Sequence, residues 1–177
     1  MRKIILLCSI LTFQISSFSQ SGSCFLAGVR LQKTHNLYYE NGLTFDYTNP
    51  KFLNNKLHVG FSYVTSRLGS AIASNAIKQD NYLVSFAYHF RHEKIVCPII
   101  QLDAGQFYAD MEYEIFDEIP HKSFILATET GLFLNFNSPI KAKATIGYHL
   151  LTGNGESGPG TLFPLFFQFS LYYMLNL

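Results

Sequence analysis

Six histidines, His35, His58, His89, His92, His121 and His149, are the side chains best suited to acid–base or metal chemistry in this chain. Their separations match no metal-ligand spacing, so no metal or cofactor is expected. His149, followed by Leu150-Leu151-Thr152-Gly153-Asn154, is the one tempting base. Acyl transfer would need a nucleophilic hydroxyl, a histidine and an orienting acid in sequence. Thr152 is a weaker nucleophile than serine, and no acid stands at an obvious distance, so His149 reads as an interior polar group. A second cluster is acidic: Asp110, Glu112, Glu114, Asp117 and Glu118. It could face a cation or a cationic partner, but its spacing fits no calcium loop, and it reads as a solvated interaction loop. Gly153, Gly155, Gly158 and Gly160 make a glycine-rich stretch. No strand-to-helix context follows it, which argues against a phosphate loop.

The elements that must position these groups are strands. From Phe163 to Leu177 every second residue is apolar: Phe163, Leu165, Phe167, Phe169, Leu171, Tyr173, Leu175 and Leu177. That is the period of a strand with one greasy face. Seven further alternating runs precede it, at Cys24–Lys33, Tyr39–Tyr47, Lys56–Leu68, Asp80–Arg91, Cys97–Tyr108, Ser123–Phe136 and Ile140–Leu151, and Thr161–Leu177 completes eight. Each reaches the roughly 9–11 residues that a tilted strand needs to cross a bilayer. Soluble strands average about 5–6. Connections differ in kind. Thr48–Asn55, His92–Val96 and Asn137-Ser138-Pro139 read as turns, whereas Gly69–Gln79, Ala109–Lys122 and Thr152–Gly160 read as long loops and Thr34–Tyr38 as a shorter one. Short turns at one end and long loops at the other are the pattern of a transmembrane barrel.

Alternation does not by itself say which face is outward. A soluble barrel would turn its apolar face inward. The apolar rows here carry many of the 17 Phe and 11 Tyr, too much bulk for an eight-stranded lumen. The opposite rows are rich in Gly, Ser, Ala and Thr and carry scattered charges, too few for a soluble exterior. The expected fold is therefore all-β, an eight-stranded antiparallel up-and-down transmembrane β-barrel. Its lumen would hold Arg30, Asp46, Lys56, His58, His89, Arg91, Asp103, Glu129, Lys141, Lys143 and His149, with Gln101 and Gln168. Buried charges need partners, and both signs are present, so a polar network that plugs the lumen is expected. Outward tyrosines near strand ends would form interfacial girdles.

Composition agrees. Charged residues make up 14% of 177, net charge is +1, and no window of about 18 consecutive apolar residues suggests a membrane helix. There is no basic field for nucleic acid. Arg2-Lys3, the apolar Ile4–Phe13 and Ser17-Phe18-Ser19 make a signal peptide over residues 1–19, leaving one barrel domain over 20–177. The alternative is a buried first strand. Cys8 would leave with the signal peptide. Cys24 and Cys97 could pair in an oxidising compartment, and Ser21-Gly22-Ser23-Cys24 also invites acylation at Cys24, though without the apolar residue that lipidation expects upstream.

The signal peptide ending in Ser19-Gln20, the eight runs and Pro98-Ile99-Ile100-Gln101-Leu102-Asp103-Ala104-Gly105-Gln106-Phe107-Tyr108 resemble the small outer-membrane β-barrels, OmpA-like and OmpX-like and their Bacteroidetes relatives. The resemblance covers the whole mature chain, although the family commonly ends in an aromatic residue and this chain in Leu177. It implies an outer-membrane location with both termini periplasmic, and contacts with outer-membrane lipids or lipopolysaccharide and with other envelope proteins. It implies a non-enzymatic accessory or surface-interaction role, with a lipid A deacylase-like enzyme and a small channel as the alternatives. The His-x-Ser-Asn pattern of the deacylases is absent at His149.

Overall fold

In the computed structural model, eight strands form one closed antiparallel barrel with every neighbour in chain order. The structure describes residues 22–34, 39–71, 74–111, 121–152 and 165–176. The expected signal peptide, the end of the chain at Leu177 and the glycine-rich stretch after Thr152 lie outside them. The strands are β1 (Cys24–Thr34), β2 (Tyr39–Thr48), β3 (Leu57–Ala71), β4 (Ser74–His89), β5 (Val96–Met111), β6 (Lys122–Leu134), β7 (Ile140–Thr152) and β8 (Leu165–Asn176). Pairing of β1 with β8, from Cys24↔Asn176 to Thr34↔Phe166, closes the ring and removes both sheet edges.

The outward rows are the apolar ones. In β4, Tyr82, Val84 and Phe86 are exposed while Leu83, Ser85 and Ala87 are buried. In β8, Phe167, Phe169, Leu171, Tyr173 and Leu175 are exposed while Phe166, Gln168, Ser170, Tyr172 and Met174 are buried. A continuous apolar exterior of this size is unstable in water and stable in hydrocarbon. Substituting Phe86, which is 47% exposed on the outward row three residues before the end of β4, therefore gives a clear expectation. Phe86→Arg should be destabilising in a bilayer, by up to about 4 kcal/mol, the cost of a cation on a barrel wall at mid-depth. Denaturant titration in lipid vesicles measures it, and a neutral result would point to a water-facing wall.

The inward face mixes small and polar residues with apolar clusters toward its two ends. Gly28, Gly42, Gly60, Gly105, Gly131 and Gly147 alternate in phase with buried residues. At Gly147 a Cβ would lie 2.2 Å from the Phe166 ring, and at Gly60 it would lie 2.2 Å from Asp46 Oδ1. Those two positions lack a side chain because a neighbour's side chain occupies the space.

One sequence expectation fails at the long-loop end. Gly69–Gln79 was expected to be a long loop, but β3 and β4 stay paired through Ser70↔Asn75 to Ala71↔Ser74. β5 continues beside them to Ile77↔Met111. At about 3.3 Å per residue, the 16 residues of β4 span roughly 50 Å, more than a tilted crossing requires. The segment is dominated by Gly, Ser and Ala, so its side chains carry little alternation, but backbone pairing satisfies its N–H and C=O groups all the same.

Candidate functional site

The lumen is layered. At the short-turn end Leu26, Cys97, Ile99, Phe133, Tyr172 and Met174 form an apolar floor, with Cys24 packed against it. Cys24 and Cys97 are both free thiols. His58 from β3 and His89 from β4 lie against this floor as face-to-face rings, 3.8 Å between centroids and 2° apart in plane, with Phe133 beside both. Near the long-loop end Val64, Leu83, Phe107 and Ile125 form a second apolar cluster.

The polar network lies between them, and Arg30 on β1 is its hub. Its Nη2 donates to Glu129 Oε1 on β6 at 3.2 Å and to Gln32 Oε1 at 2.8 Å, and its Nη1 lies 3.7 Å from Asp103 Oδ2 on β5. Thr145 on β7 donates to Glu129 Oε2 at 2.7 Å. Gln101 Nε2 donates to Asp103 Oδ1 at 2.7 Å, and Lys143 Nζ donates to Gln101 Oε1 at 3.0 Å. Lys143 also approaches Asp46 Oδ2 on β2 at 3.9 Å and lies over the Tyr172 ring at 5.4 Å. A branch toward the long-loop end joins Gln32 Nε2 and Gln79 Nε2 to the two oxygens of Glu40. Arg30, Glu40, Asp103 and Glu129 are all essentially inaccessible to solvent. Arg30 and Lys143 meet the buried carboxylates Asp46, Asp103 and Glu129, Glu40 is held by the two amides, and Lys141, also buried, donates instead to Phe136 O at 2.6 Å. In so dry an interior each charge depends on its partners, and the chain of contacts runs across the lumen from wall to wall.

The structure thus brings Arg30, Asp46, Asp103, Glu129 and Lys143 into one connected group. His58 and His89 pair beneath it. His149 is separate: its ring lies 4.6 Å from that of Phe166, and neither ring nitrogen has a hydrogen-bond partner among the described residues. Among the described residues no hydroxyl is hydrogen-bonded to that ring, and the side chain of Thr152 lies outside them. Arg91 does not belong to the lumen. β4 ends at His89, the chain turns at Phe90, and Arg91 is exposed in that turn. Lys56 corrects in the same way: it sits in the turn before β3, and its carbonyl accepts from His89 N. Asp110 is exposed near the end of β5, and Glu112, Glu114, Asp117 and Glu118 lie outside the described residues. Gln32, Glu40 and Gln79 are lumenal residues that sequence reasoning passed over. Glu40 shares its face with Asp46, six residues on, which was the available signal. Among the described residues no group of three or more His, Cys, Asp or Glu side chains is placed to hold a metal ion.

No protein-family model matches the chain, and no curated protein matches it in sequence. Solved structures do. The N-terminal β-barrel domain of Pseudomonas aeruginosa OprF aligns over 88% of this chain and 98% of its own, with a TM-score of 0.59 and 13% identity. Neisserial surface protein A aligns over 89% and 98%, with a TM-score of 0.57 and 14% identity. The outer membrane protein OprG of P. aeruginosa aligns over 89% and 97%, with a TM-score of 0.57 and 14% identity. Sequences this dissimilar share architecture, and the architecture of this chain is that of the small eight-stranded outer-membrane β-barrels.

Proposed function

We propose that this chain is a non-enzymatic outer-membrane barrel with both termini periplasmic, whose interior is a structural plug. It serves as an accessory subunit of an envelope secretion or transport assembly. The observation that carries this reading is the charge-paired network around Arg30, which fills the lumen with side chains committed to one another. What remains for function is the outer wall, in contact with outer-membrane lipid or lipopolysaccharide, and the loops. The acidic segment with Asp110, Glu112, Glu114, Asp117 and Glu118 is the loop that would meet a cationic partner, which also accommodates a surface-interaction role.

Gentle detergent extraction of tagged protein, with identification of what accompanies it, tests the assignment. A stoichiometric larger complex is expected. A lone monomer that alters lipid A would support the enzyme alternative instead. The plug itself has a separate test. Purified protein in planar bilayers should show no steady ion current, because the network around Arg30 crosses the lumen from wall to wall; a stable conductance would make the chain a channel.

A further inference from the structure

We propose that the short-turn end of the barrel is a docking face for anionic phospholipid headgroups; the proposal rests on the membrane reading above. Three connections make up this face: residues 49–56, 90–95 and 135–139. They are tied into one platform. Asn49 Nδ2 donates to Ser23 Oγ at 2.7 Å, His89 N to Lys56 O at 2.8 Å, Asn135 N to Ile95 O at 2.7 Å, Asn135 Nδ2 to His92 O at 3.0 Å, and Met174 N to Pro139 O at 2.7 Å. Turns braced to this degree hold their backbone in place.

Those side chains are of two kinds. Leu53, Phe90 and Ile95 are large, apolar and 61%, 54% and 56% exposed. Lys51, Arg91 and Lys94 are exposed, and among the described residues none of the three has an ion-pair partner. Glu93 is the only acid in the three connections, and it lies 4.0 Å from His92. Leu53 adopts φ 51°, in the left-handed region, ahead of Asn54 and Asn55 at 57° and 62°. Asparagine tolerates that region and a branched residue does not. A strained turn that presents a leucine outward is evidence for a use of that leucine.

The occupant follows from continuity and charge. Phe90 stacks edge-on with Tyr88, 5.1 Å between centroids, at the end of the row that runs down the lipid-facing wall through Phe86. The apolar side chains therefore meet the boundary between acyl chains and headgroups, where Lys and Arg reach outward to phosphate. Basic groups at that depth select anionic over zwitterionic headgroups.

Electron paramagnetic resonance of spin-labelled phosphatidylglycerol and phosphatidylcholine tests this, with the mature chain reconstituted in phosphatidylcholine vesicles. The motionally restricted lipid should show a roughly three- to fivefold preference for phosphatidylglycerol. The preference should fall to near parity in Lys51→Gln/Arg91→Gln/Lys94→Gln, and in about 1 M salt, where the screening length shrinks to about 3 Å. Lys33→Gln/Lys122→Gln, at the opposite end, should leave it unchanged. No preference, or one that survives the triple substitution, overturns the proposal and leaves the face to an acidic protein. Absence of any restricted lipid overturns the membrane reading itself, and the proposal with it.

Discussion

Replacing Arg30 with methionine should destabilise the barrel by about 3–5 kcal/mol, the usual effect of stripping one partner from a buried ion pair. Arg30 touches two carboxylates, Glu129 at 3.2 Å and Asp103 at 3.7 Å, and neither is accessible to solvent. Methionine fills much of the same volume, so the loss comes from uncompensated charge rather than from a void. The same logic sets the control. Arg30→Met combined with Asp103→Asn and Glu129→Gln removes the stranded charges and should recover most of the stability, because a neutral interior of similar shape is often as stable as a paired one. Chemical denaturation in lipid vesicles, followed by far-ultraviolet circular dichroism, measures both. If Arg30→Met alone is neutral, the hub described here does not hold the lumen together.

Gly147→Val should cost about 1–3 kcal/mol, and the cost should depend on Phe166. A Cβ at position 147 would lie 2.2 to 2.8 Å from three carbons of the Phe166 ring, which is fully buried and backs onto His149. Overpacking on that scale forces side chains off their rotamers and shifts backbone. Phe166→Ala leaves a cavity and is destabilising by itself. In that background valine at 147 should be tolerated or stabilising, so the double-mutant cycle gives a coupling energy opposite in sign to the single substitution. Additive effects would mean that the two residues do not share the space.

Much of the wall could be read from residue order. In β4 the outward row is bulkier and more apolar than the inward one, because lipid lies on one side and a narrow lumen on the other, and in β8 the outward row is uniformly apolar while the inward row mixes Gln168 and Ser170 with Phe166, Tyr172 and Met174. Period two then assigns each residue a face. It does not say where a strand stops. Arg91 is in phase with His89, but the ladder has ended by then, so the arginine emerges in a turn. Contrast was also missing at the start of β2, where Glu40 faces inward and Asn41 outward. With polar residues on both sides, the only sign of Glu40's burial was that it shares a face with Asp46. The partners within the lumen were less legible still. Arg30 and Glu129 are 99 residues apart, and they meet only because β1 closes on β8 with one particular stagger. Stagger is set by the whole ring of pairings, which no single run encodes.

The apolar rows face lipid, and the opposite rows close the lumen. Cysteine substitutions at two adjacent positions of β4 test both halves, in a background carrying Cys24→Ser and Cys97→Ala. A fluorophore on Phe86→Cys in vesicles should be quenched by brominated acyl chains and spared by aqueous iodide. Ser85→Cys should resist a water-soluble maleimide until the barrel is unfolded. Iodide quenching at position 86 would place that wall in water, and rapid modification at position 85 would show an open aqueous lumen; either result is incompatible with a lipid-facing wall around a closed lumen.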